Sequence, residues 1–137
     1  MPYDIETLGQ VIAETVAPFT DDVPCIADEP LSPLHVVRSA GPGHVLYARP
    51  PEFEALAPLG VTVTAAQAGH EVQLRRAGVL QDPFFSFTPG RPVLLGLDGA
   101  LVQSQPSGLL VQVVVGWAIA TDTIVVRIGV PLQLAGP

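Results

Sequence analysis

At 137 residues the chain has the length of one domain and can bury most of its surface without a disulfide framework. Its net charge of −7 resides in residues 1–29, which hold Asp4, Glu6, Glu14, Asp21, Asp22, Asp28 and Glu29 and no basic residue; beyond them six acids face six Arg, and there is no Lys. A neutral body behind an acidic leader has no basic patch to displace counterions from phosphates or to hold an anionic bilayer, so neither nucleic acid nor membrane is expected as a partner.

The apolar share is 48%, yet no run of about eighteen uninterrupted apolar residues occurs, so no membrane-spanning helix is expected. The longest candidate, residues 109–120, is broken by Gln112. Asp4 and Glu6 stand where a secretory signal would carry positive charge. High apolar content without a span points to extra burial between subunits. Cys25, the single cysteine, cannot form an internal bridge and reads as a buried or merely exposed thiol.

Residues 4–17 predict an amphipathic helix. Asp4 caps it, Glu6 sits where the helix dipole favours an anion, and Pro18 stops it. Ile5, Leu8, Val11, Ile12 and Val16 form one apolar stripe at spacings of three and four. That stripe docks on a neighbouring subunit, packs on its own domain, or belongs to a helix that frays in isolation. Residues 19–33 carry Pro24, Pro30 and Pro33 among acids and read as an extended linker. The expected organisation is an acidic leader over 1–33, a β domain over 34–132, and a tail over 133–137.

From residue 34 the pattern changes to short runs of period two. Residues 34–39 and 45–48 predict a hairpin across Gly41-Pro42-Gly43. Residues 49–58 form a polar loop with one aromatic, Phe53. Strands are expected over 60–65 and 71–75, with a turn at Ala68-Gly69-His70. Arg76 falls on the apolar face of its strand, which calls for a bulge near Gly78 or a buried subunit contact. Residues 84–87 predict a short aromatic strand, followed by the Thr88-Pro89-Gly90 turn. Residues 92–96 and 101–103 flank Asp98-Gly99, the strongest hairpin signal in the chain. After a turn at 105–108, residues 109–119 and 123–130 form a long closing pair. In its last strand Ile124, Val126, Ile128 and Val130 point one way, and Val125, Arg127 and Gly129 the other. About nine short strands at near-regular spacing mean an all-β barrel or sandwich.

Reacting groups are not gathered in this sequence. His35, His44, His70 and Cys25 fit no zinc spacing. Glu52 and Glu54 lie together in a polar loop, and Ser86 and Ser107 have no neighbouring His or nucleophile elbow. The Gly96–Gly99 turn lacks the Lys and helix of a phosphate loop. No catalytic, cofactor-binding or metal-ligating residue is therefore expected, and no enzyme. Trp117 and Arg127 are of the types favoured as interface anchors, the alternatives being a core aromatic and a solvated strand face.

The stretch DPFFSFTPGRPVLLGLDGALVQSQPSGLLVQVVVGWAIATDTIVVRI resembles a module of virion proteins of tailed bacteriophages and gene transfer agents. There an aromatic opening leads to Pro-Gly, Pro-Val and Leu-Gly pairs, an Asp-Gly-Ala-Leu turn, and a Gln followed by a Gly-containing strand. Here these are Pro89-Gly90, Pro92-Val93, Leu95-Gly96, residues 98–101, and Gln112 with Gly116, Ala118 and Ile119. Residues 31–48 and 59–82 are similar to the module's upstream part. Two departures stand out: Phe84, Phe85 and Phe87 replace the module's usual Trp, and Trp117 lies inside the repeat. The resemblance implies a small β-barrel that assembles with itself on the surface of a phage-like head. Such a protein decorates the capsid or forms the base of a spike, with the major capsid protein or a spike or fibre protein as partner. The alternative it implies is a tail-fibre component that recognises host polysaccharide, for which Tyr47, Phe53, Glu52 and Glu54 are the available cluster. The residues expected at an interface are Ile5, Leu8, Val11, Ile12, Trp117, Val125 and Arg127.

Overall fold

The computed structural model describes residues 20–49, 58–104, 111–129 and 132–133. The described residues are almost wholly β, as expected. The strands are β1 (Asp21–Ala27), β2 (Val36–Ser39), β3 (His44–Tyr47), β4 (Pro58–Thr62), β5 (Glu71–Gln81), β6 (Pro92–Leu95), β7 (Leu101–Val102), β8 (Val111–Gln112), β9 (Val114–Ala120), β10 (Thr123–Arg127) and β11 (Leu132–Gln133). The leader stripe over residues 4–17 lies outside the described residues.

Strands β1 to β5 close a barrel. β2 pairs antiparallel with β3 and with β4, β4 with β5, and β5 with β1, which meets β3 in parallel at Ile26 and Ala27. Its core is Ala27, Leu31, Val37, Val45, Val72 and Leu74, all buried. β5 has 11 residues, about 36 Å at a strand's rise, and outruns the barrel. Its second half pairs with β10, followed across the sheet by β9, β6 and β7. β8 and β11 form a separate pair.

This extension has its own core. Leu80, Val93, Leu95, Val115, Ala118, Ile124 and Val126 pack with Val36, Ala48 and Val61 of the barrel strands and their flanks. Adjacent residues of β2 thus serve the two cores, Val37 the barrel and Val36 the second layer. A strand buried on both faces must carry consecutive apolar residues, which is why β2 begins Val-Val. Burying the roughly dozen aliphatic side chains of the second layer at about 1.5–3 kcal/mol each is what holds the extension onto the barrel.

Glycines mark the tightest approaches. Within the extension a Cβ on Gly116 in β9 would stand 1.9 Å from the Val125 carbonyl oxygen of β10, and between the extension and the barrel one on Gly99 would stand 2.4 Å from the Val36 carbonyl oxygen. Gly99 belongs to the expected β6–β7 hairpin, where Asp98 (φ 50°) and Gly99 (φ 76°) both adopt the left-handed region and the Gly96 N–H bonds the Ala100 carbonyl at 2.7 Å.

Four local expectations are corrected. Residues 21–27, read as linker, are β1. Their acids are half of a cross-strand set: Asp22 pairs with Arg75 at 2.8 Å and Asp21 with Arg76 at 3.0 Å. Charge that looked solvated is matched from β5, 53 residues away for the Asp22 pair. Residues 84–87 form no strand, because Asp82 bends the chain there. Its side chain accepts the Phe84 N–H at 2.8 Å and its carbonyl accepts the Phe85 N–H at 3.1 Å. Residues 109–119 do not run as one strand; β8 and β9 are separated at Val113, whose carbonyl accepts the Leu95 N–H. The strand expected over 71–75 continues to Gln81. Within it Arg76 is the extra residue of a bulge, since Asp21 opposes Ala77 and Asp22 opposes Arg75. That sends its side chain outward, half exposed, to Asp21.

Candidate interaction surface

The inner face of the extension is filled, and its outer face is apolar as well. Pro92 of β6 stands opposite Trp117 of β9, Trp117 opposite Val125 of β10, and Val125 opposite Val79 of β5. One row of apolar side chains therefore crosses four strands. Trp117 is 50% exposed and Ile119, two residues along β9, is 58% exposed. Val125, Val79 and Pro92 are half-buried beside them, and Arg127 and Arg91 are exposed at the margins. Strand alternation dictates the display: Ala118, Ile124 and Val126 point into the core, so their neighbours must point out.

A second exposed apolar feature lies where the extension meets the barrel. Leu34, His35, Phe84, Phe85, Phe87 and Leu101 line an open groove of about 380 Å³. Phe84 is 92% exposed, while Phe85 and Phe87 pack on each other at 4.9 Å and against the second core. Leu34 has φ 66°, a conformation that costs a branched side chain about 1–2 kcal/mol. Thr62 holds it there. This buried residue donates its hydroxyl to the Ser32 carbonyl at 2.7 Å and accepts the His35 N–H at 3.0 Å, while its own carbonyl accepts the Leu34 N–H at 2.8 Å. The imidazole of His35 lies 2.8 Å through Nδ1 from the Pro33 carbonyl, which assigns the proton to Nδ1, and its ring packs on Tyr47 at 5.2 Å.

Several of the described charges are tied across strands. Arg49 donates to both oxygens of Glu29, at 2.6 and 2.8 Å, and to Asp98 at 2.9 Å, joining the barrel to the β6–β7 turn. Its guanidinium lies 5.3 Å over the Tyr47 ring. Arg49 holds the Glu29 carboxyl below the ordinary carboxylate range, against the opposing effect of burial, with help from the Tyr47 N–H. Arg75 does the same for Asp22. Burial pushes the Cys25 thiol up, away from the reactive thiolate. His44 pairs with Asp28. The charged groups here are paired with one another across strands, and none is gathered with others around an enclosed cavity.

The structure puts Trp117, Val125 and Arg127 on one outer face. Ile5, Leu8, Val11 and Ile12 lie outside the described residues. Of the cluster considered for polysaccharide, Glu52, Phe53 and Glu54 also lie outside them. Tyr47 is engaged internally, its hydroxyl accepting the Ser32 N–H at 2.6 Å. Ile119 and Phe84 were missed. Ile119 was legible from its parity with Trp117. Phe84 was not, because its exposure follows from the Asp82 turn.

No protein-family profile matches this chain, and no curated protein matches it. Among solved structures the chain is similar to the head fiber gp8.5 N base of bacteriophage phi29, with a TM-score of 0.47 and 14% identity over 85% of this chain and 99% of that one.

Proposed function

We propose that this chain is a structural virion protein: an oligomeric β-barrel on the head of a phage-like particle, where it decorates the capsid or forms the base of a spike. The observation that carries this reading is the apolar row across the outer face of the extension, with Trp117 and Ile119 half exposed. Large apolar groups in a contiguous patch mark contact surfaces, and Trp is the residue type most enriched among binding anchors. The address, a phage-like head, comes from the resemblance of residues 31–132 to the virion module. The candidate contact residues are Trp117, Val125 and Arg127 on the face and Ile5, Leu8, Val11 and Ile12 on the leader stripe, with Phe84 as a second prominence. Its partners are further copies of itself and the major capsid protein or a spike or fibre protein.

Light scattering of the purified chain and its co-sedimentation with particles test the proposal. A mass of several subunits and recovery in the particle pellet are expected. A monomer at all concentrations that stays in the supernatant would refute it.

A further inference from the structure

We propose that the outer face of the extension packs on the same face of a second copy of this chain, with Arg127 of each copy against Asp122 of the other and Trp117 buried between them. This pairing rests on the contact reading of that face and names its occupant. Opposed residues of an antiparallel pair share one side of the sheet, so Thr123, Val125 and Arg127 of β10 stand out together with Gln81, Val79 and Ala77 of β5. Arg127 is exposed at one end of this column. At the other end, in the turn before Thr123, two hydrogen bonds hold the Asp122 carboxylate: Thr123 Oγ1 donates to Oδ1 at 2.8 Å, and Gln81 Nε2 donates to Oδ2 at 3.2 Å. Gln81 points outward with Val79, so the carboxylate it holds belongs to the outer face.

Arg127 and Asp122 are charges that the fold leaves unmatched. Neither has an ion-pair partner among the described residues, where Arg49, Arg75 and Arg76 are each matched to an acid. Along β10 and its turn they stand about 16 Å apart at a strand's rise. Val125 lies between them, with Trp117 opposite it on β9.

A face with a cation at one end, an anion at the other and an apolar centre complements itself. Laid on a second copy with the two β10 strands running in opposite directions, each Arg127 meets the other copy's Asp122, and the apolar rows meet between the two ion pairs. Strands running in the same direction would set Arg127 on Arg127 and Asp122 on Asp122, which like-charge repulsion disfavours. The charges thus select the alignment, while Trp117, Val125, Val79 and Pro92 supply the apolar contact. A partner surface of one sign would meet one of the two groups with its own sign; a second copy matches both.

Sedimentation velocity of the full chain over a concentration series reads the association, and acrylamide quenching of Trp117, the only tryptophan, reads the face. The parent is expected to associate, with quenching that falls as concentration rises. Arg127→Asp removes both ion pairs and opposes like charges, and should weaken association about tenfold or more. Arg127→Asp/Asp122→Arg should restore it, with circular dichroism verifying the strands. A parent that associates while Arg127→Asp associates as tightly overturns the pairing and leaves the oligomeric virion reading standing. A folded double variant that stays dissociated overturns it as well. If the double variant does not fold, Arg127→Lys decides: association as in the parent supports the pairing, and a loss equal to that of Arg127→Asp overturns it. A monomeric parent also overturns it; recovery in the particle pellet would then assign the face to a particle protein, and absence from the pellet would take the virion reading down too.

Discussion

The barrel and its extension are built from the same aliphatic residues and use them differently. In the barrel, Val37, Val45, Val72 and Leu74 point inward and are fully buried, while the outward positions of β5 carry Gln73 and Arg75. In the extension both faces are apolar: Ile124 and Val126 fill the core, and Val125, Trp117 and Ile119 look out. Where barrel strands carry a second apolar face, as at Val36 and Val61, the extension covers it. A sheet with one has a contact to make, and that difference divides the residues that hold the fold from those available to a partner.

The sharpest way to break this division is inside the extension, between β9 and β10. Gly116→Val has no room for its side chain against the Val125 carbonyl and should destabilise by about 4 kcal/mol or more, read as a fall in the denaturant midpoint. Leu74→Ala, in the barrel core, should cost about 3 kcal/mol by cavity formation in the same measurement. Thr62→Val removes the hydroxyl that holds the left-handed Leu34. It leaves the Ser32 carbonyl and His35 N–H without that partner and should cost about 2 kcal/mol.

Smaller still is the contribution of the paired acids. Glu29 and Asp22 have folded pKa values lowered chiefly by hydrogen bonds from Arg49 and Arg75. Each therefore adds stability that is present above its unfolded value, about 4.3 for Glu and 3.9 for Asp, and lost as pH falls through the lower folded one. Unfolding midpoints measured from pH 6 downward should drop less steeply in Glu29→Gln and Asp22→Asn than in the parent chain. Both pairs are partly exposed, so the effect should shrink in salt.

Much of this architecture was legible from pattern. Asp98-Gly99 requires two left-handed residues between strands and finds them, and the alternation of Ile124 and Val126 with Val125 and Arg127 fixes which face of β10 is buried. What escaped was long-range. Asp21 and Asp22 look like linker charges until Arg75 and Arg76 are brought beside them, and a proline at position 24 reinforces that impression. The outer face of the extension was half visible: Trp117 and Val125 were candidates on residue type and parity. Their alignment with Pro92 and Val79 depends on strand order, which no local pattern encodes. Phe84 escaped because one carboxylate, Asp82, turns the backbone there.

The most direct test of the division between fold and contact is Trp117→Ser, assayed for both stability and particle co-sedimentation. The variant should unfold within about 1 kcal/mol of the parent, because the indole is half exposed and its removal opens no core cavity, and it should stay in the supernatant while the parent pellets with particles. A variant that pellets as the parent does would show that Trp117 makes no contact, and one that loses several kcal/mol of stability would show that it serves the fold.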